Sequence, residues 1–319
     1  MLTLEMIRQA QERIAPYLYE TPLLHVRALD EILGCQAHVK MENLQKTNSF
    51  KLRGATNRLL TLPKEALEKG VVTASSGNHG KATAYAAKRL GVSACIVLPD
   101  TAPAVKVEGI RGYGAEVVFS APAERYALAE RIRDQRGYTL ISPFDDYELM
   151  AGQGTAGLEI MAQLPEVDTI VVPIGGGGLI GGISTAVKET NPKIRVIGVE
   201  PTNVCRYTKS FAAGHRVKLP GDSASVADGT QTLCPGERNY PIVRKYVDEI
   251  VTVDEEYILK ATKLLLTQGK ILAEITSCQT IGAVLQGKLK VKPEEKVVFF
   301  LSGGNIGMDQ FKKFQEVAL

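Results

Sequence analysis

Residues 168–200 read DTIVVPIGGGGLIGGISTAVKETNPKIRVIGVE. Two runs rich in β-branched residues, DTIVVPIG (168–175) and IRVIGVE (194–200), enclose a helix-compatible stretch that opens on four glycines. Continuous Val/Ile runs separated by a helix are the pattern of parallel strands covered on both faces. The alternation continues outward. VVTAS (71–75), ACIVLP (94–99), AEVVFS (115–120) and YTLISP (138–143) precede this stretch, and EIVTV (249–253) and KVVFFLS (296–302) follow it. Helical patterns such as HGKATAYAAKRLG, AERYALAERIRDQR and LMAGQGTAGLEIMAQL lie between them. The expected class is α/β, doubly wound. Residues 201–240 are short of strands and rich in turn formers, which predicts a surface excursion between the sixth and seventh strands.

A chain of 319 residues suggests two domains, and 45% hydrophobic with 23% charged residues is the mix of a globular protein with a large core. The net charge is +3 and the basic residues are scattered, which argues against a nucleic-acid partner. Five cysteines (35, 95, 205, 234, 278) include no CxxC pair and none at zinc-ligand spacing from a histidine. The odd count favours reduced thiols and a cytoplasmic location. The N-terminal MLTLEMIRQAQERIAP reads as an amphipathic helix, not a signal peptide, and no apolar run is long enough to span a membrane.

Open α/β sheets bind ligands beyond the carboxyl ends of their strands. Three loops there carry suitable residues. Ser75-Ser76-Gly77-Asn78-His79-Gly80 precedes a helix and offers backbone N–H groups to a carboxylate or phosphate, although Ser and Asn are also ordinary N-cap residues. Gly175-Gly176-Gly177-Gly178 is entropically costly, so close approach of an anionic ligand explains it better than a turn does. Gly176, Gly178 and Gly181 also satisfy G-x-G-x-x-G, with Glu200 ending the next strand as a candidate ribose ligand, so a nicotinamide oxidoreductase is a rival on local grounds. Ser302-Gly303-Gly304-Asn305 could present a hydroxyl to a ring nitrogen or be a plain turn. Upstream, Lys46-Thr47-Asn48-Ser49-Phe50-Lys51-Leu52-Arg53-Gly54-Ala55 sets a lysine beside an aromatic ring at a loop-to-helix junction. That placement fits either a solvated surface amine or a desolvated one suited to Schiff-base chemistry.

The run Ser49–Ala55 resembles the Ser-Phe-Lys-x-Arg-Gly-Ala motif of fold-type II (tryptophan synthase β-like) pyridoxal-phosphate enzymes, the threonine dehydratase and serine racemase family. The other motifs fall in that family's order: Ser75–His79, Ala151-Gly152-Gln153-Gly154-Thr155, the four glycines, Ala227-Asp228-Gly229, and Ser302–Asn305. The similarity runs from about residue 4 to residue 310. It implies a large domain of residues 1–47 and 148–319, with a small domain of residues 48–147 inserted, each with a doubly wound, parallel-rich sheet. It implies pyridoxal 5'-phosphate as cofactor and Lys51 as its Schiff-base lysine and the base at Cα. Phe50 would flank the ring and Asn78 would bond its phenolic oxygen. Gly175, Gly176, Gly177, Gly178 and the amide of Leu179 would hold the phosphate, and Ser302 would face the ring nitrogen. Ser75, Ser76, Gly77, Asn78 and His79 would grip the substrate, with Glu274 near it, and Ser76 would be the acid–base group on the face opposite Lys51.

The implied activity is a dehydratase that converts a small β-hydroxy amino acid to a 2-keto acid and ammonia. A serine-racemase-type isomerase, the nicotinamide enzyme and a non-catalytic ligand-binding module are the alternatives. The partners expected are a small amino acid and a second copy of the chain in a homodimer. This sequence departs from the family pattern at several places. Asn48 stands for a glycine, Lys81 for a glutamine, and Ile275-Thr276-Ser277-Cys278-Gln279 for the usual Pro-Thr/Ser/Ala-Gly run. Racemase-like relatives hold a divalent ion with the glutamate that ends the Gly-Val-Glu-Pro strand and an aspartate six residues later. Here Glu200 is followed by Arg206, whose guanidinium repels a cation, so no metal site is expected. The chain ends soon after Ser302, so no C-terminal regulatory domain is expected.

Overall fold

A computed structural model describes residues 1–75 and 77–319. Among these residues, ten strands form two sheets. They are β1 (Leu23–His25), β2 (Gln36–Met41), β3 (Val71–Ala74), β4 (Ala94–Pro99), β5 (Glu116–Ser120), β6 (Thr139–Leu140), β7 (Thr169–Pro173), β8 (Arg195–Pro201), β9 (Glu249–Val253) and β10 (Lys296–Leu301). The larger sheet has the order β1-β2-β10-β7-β8-β9 and the smaller one β5-β4-β3-β6. Every pairing is parallel except β1 with β2 at the edge. The small sheet takes all its strands from the stretch Val71 to Leu140, and the large sheet takes strands from before and after it. Between β8 and β9 lie helical turns and irregular backbone, as the turn-rich sequence predicts.

The apolar runs are unbroken because both faces of the large sheet are covered. Along β7, Ile170 and Val172 pack with Ile180, Ile183 and Val187 of the helix Gly178–Thr190. Val171 points the other way, into a cluster with Ile258 and Leu265 of the helix Glu255–Thr267. Successive strand side chains alternate in direction, so a strand with two buried faces is apolar at every position. The small sheet is likewise covered, by Ala129 and Ile132 of the helix Arg125–Arg136 and by Ala84, Val107 and Ile110 from the other face.

β1 and β2 did not stand out as strands. β1 is three largely exposed residues, and His38 and Lys40 interrupt the apolar run of β2. Lys40 is nevertheless fully buried. Its ammonium donates to Glu159 at 2.6 Å and to the carbonyl of Thr21 at 2.7 Å. Glu159 also takes Arg53 (2.6 and 2.7 Å), and Arg53 forks onto Glu42 (3.0 and 2.7 Å). Two cations and two carboxylates thus neutralise one another in the interior, the condition under which buried charge is tolerated. The cluster ties the end of β2 to the helices Lys51–Leu60 and Tyr147–Gln163. It fixes the helix that begins at Lys51.

Those two helices cross closely because glycines meet at the crossing. A Cβ on Gly152 would lie 2.6 Å from the carbonyl of Arg53, and one on Gly54 2.6 Å from that of Leu149. The Ala151–Thr155 motif is therefore a packing device. Among the described residues, no helix is long and apolar enough to cross a membrane.

Candidate active site

The loops that follow β2, β3, β7 and β10 open onto one cavity of about 1380 Å³. It lies at the carboxyl ends of the strands, where β10 runs between β2 and β7. Lys51, the first residue of its helix, lies in the cavity wall with Nζ 2.5 Å from the carbonyl of Pro143 and 5.2 Å from the centre of the Phe50 ring. Burial lowers its pKa to about 8, with Glu274 pulling in the opposite direction. The segment ahead of it is stitched to the loop after β10. Phe50 N–H donates to the Ser302 carbonyl (3.0 Å), Gly304 N–H donates to the Asn48 carbonyl (2.9 Å), and Ser49 bridges Gly303. Asn48 has φ of 58°, in the left-handed region where asparagine is the best replacement for glycine. Its side chain lies 3.5 Å from Lys81 Nζ, so two departures from the family pattern meet at the rim.

The four glycines join β7 to the helix Gly178–Thr190. Gly177 has φ of 102°. A Cβ on Gly176 would strike the Phe144 ring, one on Gly177 would strike the Tyr207 hydroxyl, and one on Gly178 would lie 2.7 Å from the Phe144 carbonyl. The carbonyl of Gly176 is held by Gly236 N–H, Tyr207 Oη and Asn239 Nδ2 at 2.9–3.0 Å. No side chain fits at Gly176, Gly177 or Gly178, and bare amides at the positive end of a 13-residue helix are left to meet an anion.

Asn78 begins the helix after β3, and its amide donates to both oxygens of Glu274 (3.0 and 2.9 Å). Its oxygen accepts from Asn305 at 2.7 Å, and Asn305 Oδ1 takes Lys81 at 2.8 Å. Burial raises the Glu274 carboxyl to about 7 against the bonds from Asn78. Ser302 is buried, with Oγ 3.1 Å from Ser277 Oγ and 3.5 Å from Glu274 Oε1. His79 is buried and held down to about pKa 3 by burial and the Lys51 charge, so its ring is neutral. Its Nε2 lies 3.3 Å from the Ile141 carbonyl, and its Nδ1 has no partner among the described residues. Ser75, Gly77 and Leu179 line the same cavity. Ser76, expected to act on the substrate, lies outside the described residues. Pro143, Phe144, Ser277 and Asn305 complete the site without having been singled out as contacts. Asn305 lies in the Ser302–Asn305 motif, Ser277 in the departing segment Ile275–Gln279 and Pro143 at the end of YTLISP, but those patterns gave none of the three a contact.

Glu200 is not available to a ribose, which corrects the nicotinamide rival. It is fully buried and accepts from Tyr207 N–H (3.0 Å) and from Thr208 N–H and Oγ1 (both 2.7 Å), capping the helix Arg206–Ala213. Beside it the buried Arg206 guanidinium donates to the carbonyls of Thr230 (2.6 Å), Ile174 (3.1 Å) and Gly175 (3.3 Å), and sits 3.7 Å from Glu200. A fixed organic cation fills the space among these oxygens.

A glycine-lined helix terminus for a phosphate, a desolvated lysine beside an aromatic ring, and a buried serine at the end of β10 fit one ligand, pyridoxal 5'-phosphate. The model of the pyridoxal-phosphate dependent enzyme family matches residues 14–303. The chain belongs to that family. An L-threonine ammonia-lyase of Thermotoga maritima is 42% identical over 98% of this chain and 78% of its own length. A serine racemase of Oryza sativa subsp. indica is 39% identical over 95% of this chain and 90% of its own. The solved structure of maize serine racemase superposes with a TM-score of 0.93 at 37% identity, covering 98% of this chain and 96% of that one. The fold is fold-type II and the enzyme depends on pyridoxal phosphate.

Proposed function

We propose that this enzyme is an ammonia-lyase that removes water and then ammonia from a small β-hydroxy amino acid of the L-threonine or L-serine type, leaving a 2-keto acid. The observation that carries this reading is Lys51, a cavity-lining amine brought to about pKa 8 by burial and within electrostatic reach of Glu274. When bound, pyridoxal phosphate supplies a carbonyl for the substrate amine and a ring that withdraws electrons from Cα. Lys51 would hold the cofactor until substrate arrives, and its freed, uncharged Nζ would take the Cα proton. The amides of Gly175–Gly178 and Leu179 would bind the phosphate, Phe50 would flank the ring, and Asn78 would reach its phenolic oxygen. Ser302 offers the ring nitrogen a hydroxyl and no fixed charge, which suits expulsion of a leaving group better than storage of a carbanion. The loop Ser75–His79 would grip the carboxylate. Glu274, partly protonated near neutral pH, would hold a proton for the departing β-hydroxyl.

Sheet membership supports treating residues 48–147 as a small domain inserted into a large one of residues 1–47 and 148–319. The family resemblance supports a homodimer, and the cysteine count supports a cytoplasmic location. A serine-racemase activity is the second reading, favoured by relatives such as the rice protein. The test is a substrate panel. Protein loaded with pyridoxal phosphate should be fixed to it at Lys51 by borohydride, and should release keto acid from at least one of L-serine, L-threonine, threo-3-hydroxyaspartate and phenylserine. Turnover that survives Lys51→Ala would overturn the reading.

A further inference from the structure

Ser277 is fully buried in the segment that replaces the family's Pro-Thr/Ser/Ala-Gly run. Its hydroxyl accepts from Gly303 N–H at 2.9 Å, lies 2.9 Å from the Gly303 carbonyl, and lies 3.1 Å from Ser302 Oγ. A serine hydroxyl has one hydrogen to give. If Ser277 gives it to Gly303, its oxygen remains an acceptor 3.1 Å from Ser302 and competes with the cavity for the Ser302 hydrogen. The Gly303 carbonyl also accepts from Glu274 N–H at 3.0 Å, so it keeps a donor when the Ser277 hydrogen turns away from it. The Ser277 hydrogen is therefore free to turn to Ser302, which leaves the Ser302 hydrogen for an acceptor in the cavity. Among the described residues, the protein acceptor near Ser302 on that side, Glu274 Oε1, is at 3.5 Å, the limit of a hydrogen bond.

We propose that Ser277 is a positioning residue that orders the two hydroxyls into a one-way chain, from Gly303 N–H to Ser277, from Ser277 to Ser302, and from Ser302 to the ring nitrogen of pyridoxal phosphate. The proposal rests on the reading of Ser302 as the partner of that nitrogen. Each hydrogen bond in such a chain polarises the next, so Ser277 makes Ser302 a stronger and better-aimed donor without touching the cofactor. The departure at Ser277 then acts on the electronics of the ring, not on the shape of the substrate pocket.

The test uses the enzyme loaded with cofactor labelled with ¹⁵N in the ring. Ser302→Ala should move the ring-nitrogen resonance downfield, toward that of a pyridine with no donor. Ser277→Ala should move it in the same direction by less. In the Ser302→Ala background, adding Ser277→Ala should move it no further. That non-additivity is what a merely structural Ser277 would not produce. Should Ser277→Ala lose the cofactor, Ser277→Cys, with its weaker donor, is read in the same way. A resonance that moves with Ser302→Ala but is unchanged by either Ser277 variant overturns the chain and leaves the reading of Ser302 standing. A Ser277 effect of equal size in both backgrounds also overturns the chain. A resonance unmoved by Ser302→Ala overturns both.

Discussion

Replacing Arg206 with aspartate should create a need for metal in stability that the native protein is expected to lack. The guanidinium bonds four carbonyls, of Val204, Ile174, Gly175 and Thr230, and lies 3.7 Å from the buried carboxylate of Glu200. Removing one partner of a buried pair costs about 3–5 kcal/mol, because the other charge is left uncompensated. For a protein with a net stability of roughly 5–15 kcal/mol, this is a large share. Arg206→Asp adds a second carboxylate to Glu200 among the carbonyls of Ile174, Gly175 and Thr230, the oxygen set that magnesium and calcium prefer. A cation that binds only the folded variant returns about 2.7 kcal/mol at a hundredfold excess over its Kd. The assay is thermal unfolding of the native protein, Arg206→Asp and Arg206→Met, each in EDTA and in millimolar magnesium or calcium. The native protein should keep its Tm and its turnover in EDTA. The aspartate variant should lose on the order of 10 °C in EDTA and regain much of it with metal, and the methionine variant should lose as much and regain nothing. Native turnover that EDTA abolishes and magnesium restores would refute the reasoning, and so would an aspartate variant as stable as the native chain in EDTA.

Gly176→Ala should drive a Cβ into the Phe144 ring and disturb the glycine loop, raising the Kd for pyridoxal phosphate about tenfold or more in an absorbance titration. An unchanged Kd would remove the loop from the cofactor site. In the cofactor-free protein, Glu274 keeps its proton up to about pH 7 when folded but releases it near 4.5 when unfolded. Its contribution to stability is thus complete below pH 4.5 and is lost as pH rises through 7, a fall of about 3 kcal/mol. Urea unfolding at pH 5 and pH 8 should show that fall in the native protein and not in Glu274→Gln. Equal pH dependence in both would place the Glu274 carboxyl in a more polar setting than the one described. Ser76→Ala should keep most of the keto-acid activity and lower any D-amino acid formed. Chiral chromatography that finds both products reduced alike would make Ser76 part of elimination itself.

β3, β4, β7, β8 and β10 were legible because strands covered on both faces are apolar at nearly every position, whereas β5, β6 and β9 are only partly buried and showed as shorter apolar runs between turn residues. β2 was hidden because its interior carries Lys40, whose burial depends on Glu159, 119 positions further along the chain. No local pattern announces such a pair. The cofactor loops could be read because the chemistry is written into residue types: glycines where a side chain has no room, and a lysine beside an aromatic ring. Ser277 could not be read, since its importance lies in bonds to Ser302 and Gly303, which only the folded chain brings within reach. Asn48 appeared as an unexplained departure, and its φ of 58° supplies the backbone reason. Glu200 fitted the dinucleotide fingerprint in spacing alone, because sequence does not reveal that its oxygens are already occupied at the start of a helix.

The central claim is that elimination at Lys51 is the main reaction. Its most direct test follows the loaded enzyme at early times with its best L-β-hydroxy amino acid, measuring keto acid and D-enantiomer in the same samples, beside Lys51→Ala. Keto acid should be the faster product and D-amino acid at most a minor one, and Lys51→Ala should form neither. D-enantiomer forming faster than keto acid, or turnover that persists in Lys51→Ala, would contradict it.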